Sequence, residues 1–214
     1  SITLTHGTPG GAWSVACPAI ATVPSAGVGT VNGVGAGTCT VTYTLPGGCI
    51  ATRVITVNAP PNAITGPATV CQGSTGTFAN TTPSGSWSSA PTTVGTINAT
   101  TGVFTGLTAG TATITYTDPL TTCFTTAVVT VSPAPTPITG PATVCAGSTI
   151  TMTGSPAGGL WGVAPASAGI ASVSGGGVVT GLAGGTAIIS YTTPSTCFDT
   201  IIVTVLDTPT AVVG

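Results

Sequence analysis

The sequence contains no lysine and no glutamate. Its formal charges are Arg53, Asp118, Asp199 and Asp207, and its single histidine is His6. Charged residues make up 2% of the 214, where an ordinary soluble domain carries roughly a quarter. So few cations exclude an electrostatic footprint for nucleic acid, because that binding rests on Lys and Arg neutralising phosphates. They exclude one for an anionic membrane surface on the same ground. Long apolar runs are also missing. Mean hydropathy is +0.61, yet no run approaches the ~18 apolar residues of a spanning helix, and Ile201-Ile202-Val203 ends at Thr204. No membrane insertion is expected. No apolar stripe of helical period survives the Gly, Pro and Thr, so no helix is expected either. Ser1 opens no signal peptide, so the sequence reads as a mature chain or as a piece of something larger.

Chemistry-bearing constellations are scarce for the same reason. Acid–base catalysis needs a positioned His or a pair of carboxylates. Asp118 and Asp199 fall in different stretches of a repeating pattern, and Asp207 sits in a join. Calcium needs six to eight oxygens, usually several from acids. A zinc site lacks Cys-x-x-Cys spacing and has one histidine to draw on. The Gly run 175–177 precedes no helix and cradles no phosphate. No catalytic residue, metal or cofactor is assigned, and the chain is not read as an enzyme.

What is present is threonine, at 48 positions, with Val and Ile, seven cysteines and a clear period. Such β-branched abundance argues against disorder despite 32 Gly and 18 Pro. Trp13, Trp87 and Trp161 stand 74 apart, as do Cys49, Cys123 and Cys197, and Cys71 and Cys145. Ile64-Thr-Gly-Pro-Ala-Thr-Val-Cys71 recurs as 138–145, and Gly106-Leu-Thr-Ala-Gly-Thr-Ala-Thr-Ile-Thr-Tyr116 returns as 181–191 and more loosely as 33–43. Self-similarity at a fixed period outranks any local reading.

Within each period the alternation is two. Ala112, Ile114 and Tyr116 face one way and the intervening threonines the other. This describes half-buried strands separated by Gly/Pro/Asn/Ser turns. In the third copy about seven strands are expected, near 136–146, 148–154, 158–163, 168–173, 177–181, 184–192 and 196–205. The fold class is all-β: tandem two-sheet sandwiches of about seven strands each, with the three tryptophans as core packing residues rather than ligand platforms. Boundaries are placed at the Pro-rich joins 58–62 and 132–137. They give repeat 1 at 1–59, repeat 2 at 60–133, repeat 3 at 134–207, and over 208–214 the start of a further repeat's first strand or a donor strand. Short stiff joins predict an extended rod.

The pattern Ile-Thr-Gly-Pro-x-x-Val-Cys-x-Gly-Ser, then Gly-x-Trp, then Gly-x-Val-Thr-Gly-Leu-x-x-Gly-Thr-Ala-x-Ile-x-Tyr, then a Cys before a Val-rich strand, resembles bacterial immunoglobulin-like repeats. It is most similar to those of very long Bacteroidota surface proteins, often exported by type IX secretion. The resemblance implies an extracellular location and adhesins, stalks or filaments without a shared binding site.

Seven regularly spaced cysteines fit an oxidising compartment. The first and last strands neighbour each other in such sandwiches. The resemblance therefore implies pairing Cys71 with Cys123 and Cys145 with Cys197, each 52 apart. Cys17 and Cys39 occur only in repeat 1 and are paired with each other. Cys49 has no partner within the chain, because Ser1–Thr5 aligns with 149–153 and repeat 1 lacks a first strand and its cysteine. One consequence is a window cut from a longer array. The other is a strand received from a neighbour by β-addition, giving head-to-tail filaments.

The partners expected are neighbouring repeats or identical subunits, because sheet edges without Lys are unguarded and low net charge favours association. A surface glycan or protein ligand bound through the loops is the alternative, as is an accessory array on a secreted enzyme. Asn80 and Asn98 fit the N-glycosylation sequon, and Asp199-Thr200-Ile201 resembles the Bacteroidota O-glycosylation signal, which makes Thr200 a candidate. The leading function is a non-catalytic structural segment of an extracellular bacterial filament or stalk.

Overall fold

A computed structural model describes residues 1–208; from Pro209 onward, the strand expected at the C-terminal end lies outside the described residues. The protein is an all-β chain of immunoglobulin-like sandwiches. The one helical turn among the described residues is a 3-10 turn, Pro165–Ser167. Two compact units are present. The first comprises Ser1–Ile64, Asn80–Ser86 and Tyr116–Thr126, and the second comprises Thr65–Ala79, Trp87–Thr115 and the chain from Ala127.

In the second unit the third repeat forms three sheets. One is four-stranded, in the order Thr143–Cys145, Phe198–Leu206, Gly185–Thr192, Leu160–Val163. Another holds Thr149–Thr151, Val178–Gly181 and Ala171–Val173, and the last pairs Thr136–Thr139 with Thr153–Ser155. The period-2 pattern determines what is buried. Ala187, Ile189 and Tyr191 on one strand and Val203 and Val205 on the next are nearly inaccessible, and the residues between them face outward. Together with Ile138, Val144, Met152, Ala171 and Val179 they form one core.

The strand expected over 136–146 is split in two. Gly140 takes a φ of +149°, a conformation L side chains avoid, and a Cβ there would stand 2.5 Å from the Met152 sulfur. Pro141, which follows, has no N–H to give a ladder. The second expected strand breaks at Met152, whose N–H turns to the Gly177 carbonyl (2.8 Å).

The second repeat repeats this scheme. Thr69–Cys71 lies parallel to Phe124–Ser132, with Thr130 opposite Thr69 and Ser132 opposite Cys71. Gly110–Thr117 and Ser86–Ala90 complete that sheet. The other sheet is Gly95–Ile97, Val103–Gly106 and Thr75–Thr77.

The first repeat, in the first unit, has two three-stranded sheets: Ile2–Thr3 with Thr30–Gly33 and Ala21–Thr22, and Ala12–Val15 with Gly37–Thr44 and Ile50–Val57. Its core is separate, built on Ala21, Val31, Cys39, Val41 and Ile55 with Leu4, Trp13, Val15 and Val57 around it. The tryptophans occupy equivalent strands. Trp87 is buried, while Trp13 and Trp161 are half-buried against the cores of their repeats.

Candidate functional site

The Gly-x-Trp motif acquires its cause from a tyrosine on the penultimate strand. In repeat 1 the Tyr43 hydroxyl donates to the Thr8 carbonyl (2.8 Å) and accepts from the Gly11 N–H (2.8 Å). Tyr191 does the same with Pro156 (2.5 Å) and Gly159 (2.9 Å). Tyr116 bonds the Thr82 carbonyl and accepts from Gly85 (2.8 Å). A Cβ on Gly11, Gly85 or Gly159 would stand 2.3–2.5 Å from that ring. Each glycine therefore lets the backbone close over its tyrosine. The alternation in the sequence marks Tyr116 as inward-facing but does not show the bridge, although Gly and Tyr recur in step with Trp.

The cysteines depart from the expected scheme. Cys17 and Cys39 form a disulfide (Cα–Cα 5.7 Å) inside repeat 1. Cys71, however, is bonded to Cys197, not to Cys123, with Cα–Cα 5.6 Å across 126 positions. Cys49, Cys123 and Cys145 are free thiols. Strand direction explains the correction. Thr143–Cys145 runs parallel to Thr204–Leu206, so Cys145 stands opposite Leu206. Cys197 lies before the other end of that strand, which begins at Phe198. Rise along a strand, ~3.3 Å per residue, puts the two about 30 Å apart, against the ~6 Å that a disulfide spans. Likewise Cys71 stands opposite Ser132, at the far end of the strand that Cys123 precedes. A bond between the first-strand and last-strand cysteines of one repeat is thus excluded, and the disulfide formed joins repeat 2 to repeat 3.

The flank of the last strand is the part of this framework that differs between repeats. In repeats 2 and 3 the last strand is interior to its sheet, flanked by a Thr-Val-Cys strand. In repeat 1 the last strand, Ile50–Val57, is an edge. Two grooves run beside it. One, about 370 Å³, is lined by Val31, Gly33 and Ile55–Asn58 together with Ser1, Ile2 and Thr121–Cys123, all of the first unit. The other, about 480 Å³, is lined by Ile2–His6, Trp13, Val41, Tyr43 and Ala51–Arg53. His6 stacks on Tyr43 with ring centroids 4.0 Å apart. Arg53, the one Arg, sits exposed on the edge strand, where repeat 3 has Ile201 packed against its core.

The carboxylates hold loops and strands. Asp118 accepts from the Leu120 N–H (2.9 Å) and from the Thr121 hydroxyl (2.8 Å), which together hold its pKa below the ordinary aspartate value. Asp199 accepts the N–H of Ile138 (2.9 Å), tying the first strand of repeat 3 to the last. Asp207 accepts from Gly184 (3.0 Å). Among the described residues no three His, Cys, Asp or Glu side chains gather where a metal could sit. Thr200 is exposed on the strand Phe198–Leu206. Asn98 is exposed and caps its own turn through the N–H groups of Thr100 and Thr101, whereas the Asn80 side chain bonds the Asn62 carbonyl and the Thr82 N–H.

No protein-family model and no curated protein matches the chain. Solved structures to which the chain is similar include the S-layer protein SbsC (16% identity, TM-score 0.32, covering 95% of this chain and 37% of that one). Invasin, a bacterial integrin-binding protein, is similar at 16% identity and TM-score 0.41, over 94% of this chain and 53% of that one. A C-terminal fragment of intimin, in complex with the intimin-binding domain of its translocated receptor, is similar at 18% and 0.42 over 68% and 64%. The chain spans about 37% of the length of the SbsC structure.

Proposed function

We propose that this chain is a non-catalytic structural segment of an extracellular bacterial surface filament or stalk. Three repeats, bounded as the Pro-rich joins suggest, form an extended rod that carries length and load. The observation that carries this reading is the Cys71–Cys197 disulfide. It ties two successive repeats to each other rather than closing either one on itself, so a pull applied along the chain passes through a covalent bond as well as through the linker. Disulfides persist in oxidising compartments, which supports an extracellular setting.

A second feature supports association with copies of itself or with neighbouring repeats. The outward face of each last strand carries an apolar pair at the repeat period: Ile50 and Val54, Phe124 and Val128, Phe198 and Ile202. All six are 60–67% exposed. With one cation in the whole chain, nothing on these faces opposes close approach.

Electron microscopy of the native material tests the reading. Thin, regular filaments or stalks are the expected result. Isolated compact particles at every concentration, or a hydrolytic or transfer activity that copurifies with the chain, overturns it.

A further inference from the structure

We infer that the groove beside Thr56–Asn58 in the first repeat is a docking slot for an extended strand of sequence Ala-Thr-Val-Cys, and that Cys123 captures the strand's cysteine as a disulfide. This goes beyond the filament reading, since strand capture would hold for a chain of any function.

The occupant is defined by the equivalent slots. In repeat 2 a Thr-Val-Cys strand lies parallel to Thr130–Ser132, and in repeat 3 another lies parallel to Thr204–Leu206, in the same register. The backbone closes both in the same way. Thr130 N–H donates to the Ala68 carbonyl (2.9 Å) and Gln72 N–H to that of Ser132 (2.8 Å); Thr204 and Ala146 make the matching bonds with Ala142 and Leu206. The strand's valine is buried in each case, at 5% exposure. The period places Thr56, Val57 and Asn58 at the positions of Thr130, Val131 and Ser132. There the strand is an edge, its backbone groups available for pairing. The apolar floor is not fully covered. Val57 is only half-buried and Asn58 exposed, while Val131 and Ser132 are buried. Gly33 lines the slot as well. Its counterparts Gly106 and Gly181 are where the strand's Cys71 and Cys145 carbonyls come within 3.0 Å of a would-be Cβ.

Cys123 is the second, independent observation. Cys197 holds the cysteine of a docked Thr-Val-Cys strand, and Cys123 stands 74 positions before Cys197. It lines the same groove as Asn58, just as Cys71, opposite Ser132, meets Cys197. Cys123 is a free thiol. The occupant is a strand of this stated chemistry, the first strand of a repeat of the same kind. The proposal covers only this half of the edge, because the other groove presents His6 and Arg53 where repeat 3 has Gly154 and Ile201.

In the oxidising compartment the capture joins two thiols as one Sγ–Sγ bond. Two protons are released and two electrons pass to a disulfide oxidant, which is reduced to two thiols. A mixed disulfide removes the need for that oxidant. The Cys123 thiolate, its proton lost to solvent, attacks the sulfur of a strand cysteine carried as a pyridyl disulfide. The new Sγ–Sγ bond forms as the old S–S bond breaks, and pyridine-2-thiol leaves.

The test uses the full chain and the heptapeptide Pro-Ala-Thr-Val-Cys-Ala-Gly, the sequence of residues 141–147, activated in that way. Docking raises the local thiol concentration. The proposal therefore expects Cys123 to be labelled at least tenfold faster than Cys49 or Cys145, as read by released pyridine-2-thiol and peptide mapping. A peptide with Asp for its valine should lose that advantage, and so should the G33V protein, whose added side chain fills the slot. Equal labelling of the three thiols, or equal rates with the valine and aspartate peptides, overturns the inference. The peptide arm does not depend on whether the G33V protein folds.

Discussion

The first and third repeats share a chain path and a tyrosine bridge but differ along one edge. In the third, the last strand lies inside a four-stranded sheet, Val205 is 2% exposed, and a parallel strand covers it. In the first, the same strand is an edge and the equivalent Val57 is half-buried. The difference shows what the first strand contributes. It adds parallel hydrogen bonds, covers the end of the core, and delivers a cysteine to the far end of its sheet. That delivery keeps the first-strand cysteine from the last-strand cysteine of its own repeat, and in repeat 2 it brings Cys71 to Cys197 of the next.

Substitutions at matched positions can break or sharpen this contrast. The largest effect belongs to the disulfides. Removing the Cys71–Cys197 bond by the double change C71A/C197A should lower unfolding stability by about 5 kcal/mol. The C17A/C39A change should cost about 3, because the loop closed is much shorter (22 against 126 positions). Denaturant titration of oxidised protein measures both, and a larger loss for C17A/C39A would reverse the ranking. Next come the paired valines. Val205→Ala removes two fully buried methyl groups and should cost about 2 kcal/mol, while Val57→Ala, at a half-open edge, should cost under ~1. Equal losses would mean that the edge of repeat 1 is as well covered as that of repeat 3.

A smaller and equal effect is expected from the tyrosines. Tyr43→Phe and Tyr191→Phe each remove a donor to a carbonyl and an acceptor for a glycine N–H. Each should cost about 1–2 kcal/mol. An effect confined to one repeat would show that the bridge is not a shared device. The smallest effect is on pH. The Leu120 N–H and the Thr121 hydroxyl depress the Asp118 pKa, so its contribution is present above the unfolded value of about 4 and is lost as pH falls through the lowered folded value. The unfolding midpoint of wild-type protein should change little between about pH 5 and 8, and a small decline below about pH 4 should disappear in D118N.

Much of the fold could be read in the sequence because its period is redundant. Trp, Cys and Gly return in step, and Thr alternating with Val, Ile and Ala shows which face is buried. Strand breaks were harder, since the one after Thr139 depends on a glycine conformation and the one at Met152 on a single cross-chain hydrogen bond. The cysteine pairing is not legible from spacing alone. The spacing of 52 identifies which strands carry cysteines, but not whether those strands run parallel, and the parallel register puts the two sulfurs at opposite ends. The spacing of 126 was equally present in the sequence. It becomes meaningful only when direction is known. The open slot was half legible: the alignment of Ser1–Thr5 with 149–153 shows which part of the repeat the sequence opens on, but the juxtaposition of the edge strand with Cys123 needs three-dimensional placement.

The central claim is that the cysteine of a first strand is tied to the following repeat instead of sealing its own. Proteolysis of the oxidised protein without reductant, followed by mass spectrometry of the linked fragments, addresses it directly. The account predicts one fragment pair joining Cys71 to Cys197 and another joining Cys17 to Cys39. Fragments joining Cys71 to Cys123 and Cys145 to Cys197 would contradict it.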